Sequence, residues 1–175
     1  MYATTRYASP LGPITLACGE RGLCGLWFDG QSHFGGGLGP MAEDGSRPVF
    51  AEAAAWLDDY FARRQPDPRA LPLAPEGTPF RQAVWALLCE IPAGSVVTYG
   101  DLARELGRRQ GRTAVSARAV GGAVGHNPIS LLIPCHRVVG AGGSLTGYAG
   151  GLERKRFLLE LEGADPSAPC RDLWR

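Results

Sequence analysis

The sequence predicts an α+β chain, with a small mixed α/β domain over residues 1–77 and a mostly helical domain over residues 78–175. Three observations carry this reading. The first third alternates short apolar runs with glycine turns. The segment from Arg63 to Thr78 is rich in Pro, Arg and Asp and lacks apolar periodicity, as a connector would. Beyond it, helix start signals follow one another closely. A chain of 175 residues with 45% hydrophobic side chains can bury the cores of two such domains.

Taken in order, Ile14–Cys18 and Leu23–Phe28 flank the turn Gly19–Gly22 and read as a β-hairpin. The glycine-rich stretch from Gly35, continuing to Pro48, reads as a mobile loop. Phe50, Ala54, Leu57 and Phe61 fall at helical spacing, so a helix should pack on the sheet through that stripe. Thr78-Pro79 supplies an N-cap and a first-turn proline, and Phe80, Val84, Leu87, Leu88 and Ile91 form one buried face before Pro92-Ala93-Gly94 ends the helix. Thr98-x-x-Asp101 is a second capping signal, opening a short helix through Leu106. Thr113 or Ser116 caps another, running to about Gly125. The last two helices make a helix-turn-helix candidate whose connector, Arg108–Arg112, is long. No repeat runs at a fixed period, which argues against a solenoid.

Composition excludes several classes. No stretch approaches the roughly 20 apolar residues of a membrane span, and the first residues lack the apolar core of a signal peptide, so the chain reads as cytosolic. The five cysteines, at 18, 24, 89, 135 and 170, include no Cys-x-x-Cys pair and fit reduced thiols. Cys18, Cys24 and His33 lie near one another in sequence but fall short of a four-ligand set, so no metal and no other cofactor is expected. Net charge is +1, unevenly spread: residues 1–78 hold 6 Arg/Lys against 9 Asp/Glu, and residues 79–175 hold 12 against 8. Of the 18 basic residues, 17 are Arg, the side chain suited to phosphates and base edges, so the second half permits nucleic-acid binding without proving it.

The run Ile133-Pro134-Cys135-His136-Arg137-Val138 places a thiol beside an imidazole in an apolar stretch. An isolated Cys-His pair of this kind is more often a small buried hydrophobe next to a structural histidine. The alternative is a reactive cysteine. With an ordinary thiol pKa of about 8.5, it needs a base, and a neighbour in sequence would act through a bridging water, with a carboxylate orienting the ring. Upstream, Ala114, Ala117, Gly121, Gly122 and Ala123 give the second helix of the helix-turn-helix a face of small residues. Such a face suits either tight packing on a neighbouring helix or close approach to a narrow groove.

Around that run stand Thr98-Tyr99-Gly100-Asp101-Leu102-Ala103, Ala117-Arg118-Ala119-Val120-Gly121-Gly122-Ala123, Asn127-Pro128, Thr146-Gly147-Tyr148-Ala149-Gly150-Gly151 and Leu158-Leu159-Glu160-Leu161-Glu162-Gly163. Together they resemble the O6-alkylguanine-DNA alkyltransferases, densely from Thr78 to Gly163 and more loosely in Ser9-Pro10-Leu11-Gly12, Gly22-Leu23 and Leu26-Trp27-Phe28. The resemblance implies a ribonuclease-H-like first domain and a winged helix-turn-helix-like, DNA-binding second domain. It implies single-turnover transfer of an alkyl group from O6-alkylguanine in duplex DNA to Cys135 after base flipping, and leaves O4-alkylthymine open as a second lesion. By the same resemblance His136 and Glu162 activate the thiol, Tyr99 donates to the base ring, and Asn127 organises the turn between the recognition helix and an active-site strand. Arg118 fills the gap left by the extruded base, with Ala117, Gly121, Gly122 and Tyr99 against a minor groove bound without sequence preference. Pro134, Val138, Tyr148, Ala149 and Gly150 line the base pocket. Position 149 is Ser in many family members and Ala here, which keeps the backbone N–H but removes a hydroxyl. Arg137 reads as a structural ion-pair partner, and Lys155 as the partner of an acid near the site. The partner is double-stranded DNA, with no membrane, and the protein is expected to act as a monomer, cooperative assembly on DNA remaining open.

Three competing classes are weighed against this. A non-catalytic alkyltransferase-like lesion-binding protein would lack the reactive cysteine, which is present at 135. A helix-turn-helix regulator would carry base-reading Asn or Gln on its recognition face, where this chain has Ala and Gly. A thiol hydrolase would turn over many times, whereas a thioether has no easy hydrolytic exit.

Overall fold

The structure, a computed structural model, describes all residues from Met1 to Arg175. It divides into two compact units, one of Met1–Gly77 with Pro128–Leu132 and the other of Thr78–Asn127 with Ile133–Arg175.

The first unit is a four-stranded sheet with one helix. Strands β1 (Tyr2–Ser9), β2 (Gly12–Gly19), β3 (Gly22–Phe28) and β4 (Met41–Glu43) lie in the order β3-β2-β1-β4. The β1/β2 and β2/β3 pairs are antiparallel, whereas β4 runs parallel to β1 with Tyr2 opposite Met41. The hairpin around Gly19–Gly22 forms as expected. The loop expected from Gly35 to Pro48 is ordered in part into β4, because the open edge of β1 offers unpaired backbone groups to it. Strand β1 has no clear polar/apolar alternation in sequence and is recognisable only from its pairing.

All seven residues of β3 are buried, which accounts for its continuous apolar run. Its free edge is covered by two extended segments: Leu23 N–H donates to Pro72 O and receives Ala74 N–H on its carbonyl, while Leu26 pairs likewise with Pro128 and Ser130. Gly25 is required here, since a Cβ on it would sit 2.0 Å from the Trp27 ring. Within the covering segment Leu131 adopts φ 70°, a left-handed conformation rare for leucine, and is held there in full burial. Helix α1 (Pro48–Phe61) buries Phe50, Ala53, Trp56, Leu57 and Tyr60. The expected stripe through Ala54 and Phe61 is therefore turned by one position, the large rings of Trp56 and Tyr60 taking the core side.

The second unit holds helices α2 (Pro79–Leu88), α3 (Tyr99–Arg109), α4 (Ala117–Gly125) and α5 (Leu152–Glu162), with a short parallel pair of strands β5 (Val97–Thr98) and β6 (Val138–Val139). Thr78 caps α2 by accepting Arg81 N–H, and Trp85, buried on α2, donates its indole N–H to Ala123 O of α4 at 2.8 Å. Thr98 and Asp101 form a complete capping box on α3. That helix runs three residues past Leu106, because Arg108 and Arg109 fold back on the buried Glu105 and Arg109 also grips Glu90. Ser116, not Thr113, caps α4.

Candidate active site

Cys135 lies not on a strand but in a single 3-10 turn, Cys135–Arg137, that feeds β6. Its backbone N–H donates to Ile133 O at 2.8 Å, closing a three-residue turn over Pro134, whose φ −80° and ψ 65° are those of an inverse γ-turn. The Asn127 side chain, following the end of α4, donates to the same Ile133 carbonyl at 2.7 Å and also hydrogen-bonds the thiol. One amide thus ties the end of the helix to the Cys135 turn.

Burial pushes the Cys135 thiol up, opposed in part by the Asn127 hydrogen bond and by the positive charge of Lys155. The resting side chain is a protonated thiol with 4% exposure, so reaction requires removal of a proton. His136, entirely buried, has its pKa lowered by burial against the pull of Glu162, which keeps the imidazole neutral and able to accept that proton. Its Nε2 meets Glu162 Oε1 at 2.7 Å. With Nε2 donating to the carboxylate, Nδ1 is the accepting nitrogen, and it has no hydrogen-bond partner within the protein.

Glu162 is the last residue of α5, where a carboxylate faces the unfavourable end of the helix dipole. Burial acts in the same unfavourable sense, yet the hydrogen bond from His136 and the hydrogen bonds and charge of Arg137 hold its carboxyl well below the usual range. Arg137 reaches both carboxylate oxygens, at 2.9 and 2.8 Å, and donates besides to Ile91 O. Gly163 ends α5 in the left-handed region, and the Gly94 turn lies so close to Glu162 O that an added Cβ would approach to 3.3 Å. Two turns therefore fix the carboxylate from the backbone side.

Tyr99, at the first position of α3, donates its hydroxyl to Thr146 O at 3.1 Å, with Gly147 O at 3.3 Å. Burial, and after it the proximity of Cys135, raise its pKa, so its hydroxyl stays protonated. Pro134, Val138 and Gly150 are buried, and Tyr148 and Ala149 partly so. On α4, Ala117, Arg118 and Gly122 are exposed, and a Cβ on Gly122 would meet nothing within 4 Å. Gly121 instead packs on the Tyr99 ring, at 3.7 Å from a hypothetical Cβ. The structure thus gathers Asn127, Cys135, His136 and Glu162 with Arg137, and sets Tyr99 on the 146–147 loop, while Arg118 stands on the open face of α4. Lys155 is a correction: its ammonium meets no acid but donates to the carbonyls of Val138 and Thr146. The signal was its spacing, three and four residues before the buried Leu158 and Leu159.

Residues 79–164 match the DNA-binding domain model, and residues 1–75 the ribonuclease-like domain model, of 6-O-methylguanine DNA methyltransferase. The chain belongs to this methyltransferase family. Among its relatives, the methylated-DNA–protein-cysteine methyltransferase of Methanosarcina barkeri is 45% identical over 155 residues, covering 88% of this chain and 92% of the relative. That of Mycobacterium leprae is 44% identical over 154 residues, covering 88% of each. In structure the chain is similar to Mycobacterium tuberculosis OGT in complex with DNA, with a TM-score of 0.76, 40% identity, and coverage of 98% of this chain and 97% of that one. The two-domain architecture of the family is the one described above, and no helix is long and apolar enough to cross a membrane.

Proposed function

We propose that this chain repairs alkylated DNA by direct reversal, moving the alkyl group of O6-alkylguanine in duplex DNA irreversibly onto its own Cys135. The observation that carries the assignment of residues is the buried Cys135 turn, tied to Asn127 on one side and backed by the His136–Glu162 bond on the other, in a chain of this family.

The chemistry follows from the groups present. The target atom lies inside the stacked duplex, so the nucleotide is extruded at a cost of a few kcal/mol. Helix α4 approaches the minor groove, whose roughly 6 Å width admits only a shaved face such as Ala117 and Gly122. Arg118 enters the stack behind the departing base, its planar guanidinium replacing the lost stacking. The base is received between Pro134 and Val138 on one side and Tyr148, Ala149 and Gly150 on the other, where backbone groups of Val138 and Ala149 read its edge. A water on His136 Nδ1 takes the thiol proton, and the charge that develops on the ring is held by Glu162. The Cys135 sulfur attacks the alkyl carbon in line, the S–C bond forming as the C–O6 bond breaks. Tyr99 donates its proton to the guanine ring, so the leaving group departs neutral, and the proton held by His136 returns to Tyr99 through solvent. The product is an S-alkylcysteine, which has no hydrolytic exit, so each molecule acts once. Minor-groove binding without sequence preference, and action as a monomer, belong to the same reading.

The test is to mix the protein with excess duplex carrying an isotopically labelled O6-methyl group, then count and locate the label. One equivalent on the Cys135 peptide, and no more, is the expected result; tight binding without transfer would instead leave a lesion-binding protein. A second expectation concerns Arg118→Ala. It should slow transfer from duplex by about 10-fold or more, the equivalent of one lost stacking contact, and leave transfer from the free O6-alkylguanine base unchanged. Single-turnover rates on the two substrates check this.

A further inference from the structure

The wall of the base pocket at 148–150 runs into two glycines, Gly150 and Gly151, and neither Ala149 nor Gly150 carries a polar side chain. Beyond Tyr148, only backbone groups on this wall can read a base edge, and their directions are set by how the turn from Tyr148 to Gly151 is closed. The peptide group that joins Gly150 to Gly151 meets little steric restraint of its own, since neither neighbour has a Cβ. The structure holds it at both ends. Its N–H, from Gly151, donates to Tyr148 O at 2.9 Å and closes the turn. Its carbonyl, from the buried Gly150, accepts a guanidinium N–H of Arg154 at 3.0 Å.

The dipole of α5 does not favour an arginine at this position. Arg154 is the third residue of the helix, where a positive charge is unfavourable, and Gly151 gives that end no side-chain cap. Nor does the core call for it, because the Arg154 side chain is half-buried, whereas Leu158 and Leu159 anchor the helix from full burial. What Arg154 does supply is a charge-assisted donor to a buried carbonyl that must find one.

We propose that Arg154 is a positioning residue of the base pocket: by holding the Gly150 carbonyl it fixes the turn through which the Ala149 backbone meets the guanine edge. The inference rests on the function proposed above. Without this bond the Gly150–Gly151 peptide turns, the wall samples other conformations, and the extruded base stands in line with the Cys135 sulfur for a smaller fraction of the time.

The experiment compares wild type with Arg154→Met, which keeps an unbranched stem without donors or charge, and Arg154→Lys, which returns one charged donor. Arg154→Ala takes the place of the Met variant if that one gives no cooperative melt. Single-turnover transfer from methylated duplex is measured over a range of duplex concentrations. Beside it, Cys135 is alkylated with iodoacetamide at a pH high enough to ionise the thiol, a reaction that needs no base pocket. Arg154→Met should lower the limiting transfer rate by about 10-fold, as for a lost hydrogen bond to a charged group, and leave the half-saturating duplex concentration and the iodoacetamide rate within about two-fold of wild type. Exchange of the Gly151 amide hydrogen, read by NMR, should quicken by about the same factor, because the peptide has lost its second anchor. Arg154→Lys should recover most of both losses. Weaker duplex binding with a salt dependence shallower by about one phosphate contact, at an unchanged limiting rate, would make Arg154 a phosphate contact and overturn the proposal. Equal losses with iodoacetamide would overturn it too, by placing the effect on the thiol. An unchanged limiting rate in a protein that labels normally refutes the role of Arg154 alone, whereas a wild type that never labels Cys135 removes the proposed function and this inference together.

Discussion

Cys135→Ala should transfer no alkyl group at all while still binding methylated duplex. On the proposed mechanism the sulfur is the atom that forms the new bond, and the turn Cys135–Arg137 holds no second thiol. Cys135→Ser tests the point more sharply. It keeps the shape, but a hydroxyl stays protonated where the neutral imidazole of His136 can take a proton from a thiol, and transfer should again fall below detection. Both variants should fold: Ala removes a single sulfur atom, leaving a cavity that costs about 1 kcal/mol, and Ser exchanges that sulfur for a smaller hydroxyl oxygen. A gel-shift titration with methylated duplex, run beside the labelling assay, separates lost chemistry from lost binding. Residual label on either variant would show that another group accepts the alkyl and would overturn the assignment of Cys135.

Glu162→Gln should damage both stability and rate. The carboxylate is the shared anion of a buried set in which His136 and Arg137 are its partners. An amide in its place leaves the Arg137 guanidinium, 8% exposed, without a countercharge. Removing one partner of such a pair costs about 3 to 5 kcal/mol. Transfer should fall by about 100-fold, because the imidazole loses the group that fixes its tautomer and holds its charge. The pH dependence has a definite sign. The folded carboxyl lies well below the usual range, so its contribution is fully present above the unfolded value of about 4.3 and is lost as pH falls through the folded value. His136 acts in the same direction: its folded pKa is lowered, so protonation of the unfolded chain below about pH 6.5 favours unfolding. Urea unfolding from pH 7 to pH 3 should therefore show a gap between wild type and Glu162→Gln that persists from neutrality down to about pH 4.3 and narrows below it. A gap that stays constant with pH would mean that the folded carboxyl is not depressed.

The hairpin and the capping signals were legible because they are local: Thr98 and Asp101 close their box within four residues, and Gly19–Gly22 turns within its own hairpin. Strand β4 was not, since three residues pair with β1 only when the edge of that strand is there to receive them. The stripe of α1 was misjudged by one position for a related reason. Periodicity gave Phe50 and Leu57, but only the sheet decides that Trp56 and Tyr60 turn inward in preference to Phe61.

For the site the division is similar. The sequence by itself determined that a thiol and an imidazole stand together at 135 and 136, and, through the blocks around them, which family the chain resembles. Residue types and spacing are preserved in a string of letters. The tertiary structure alone decided that Glu162, 26 residues away, meets His136 at 2.7 Å, that Cys135 sits in a turn and not on a strand, and that Lys155 meets two carbonyls and no acid. Each of these depends on the closing of a loop and the docking of a helix end, which bring distant backbone and charge into a site from which water is excluded. That exclusion keeps the thiol protonated and the imidazole neutral, while Arg137 and the His136 hydrogen bond hold the carboxylate against it.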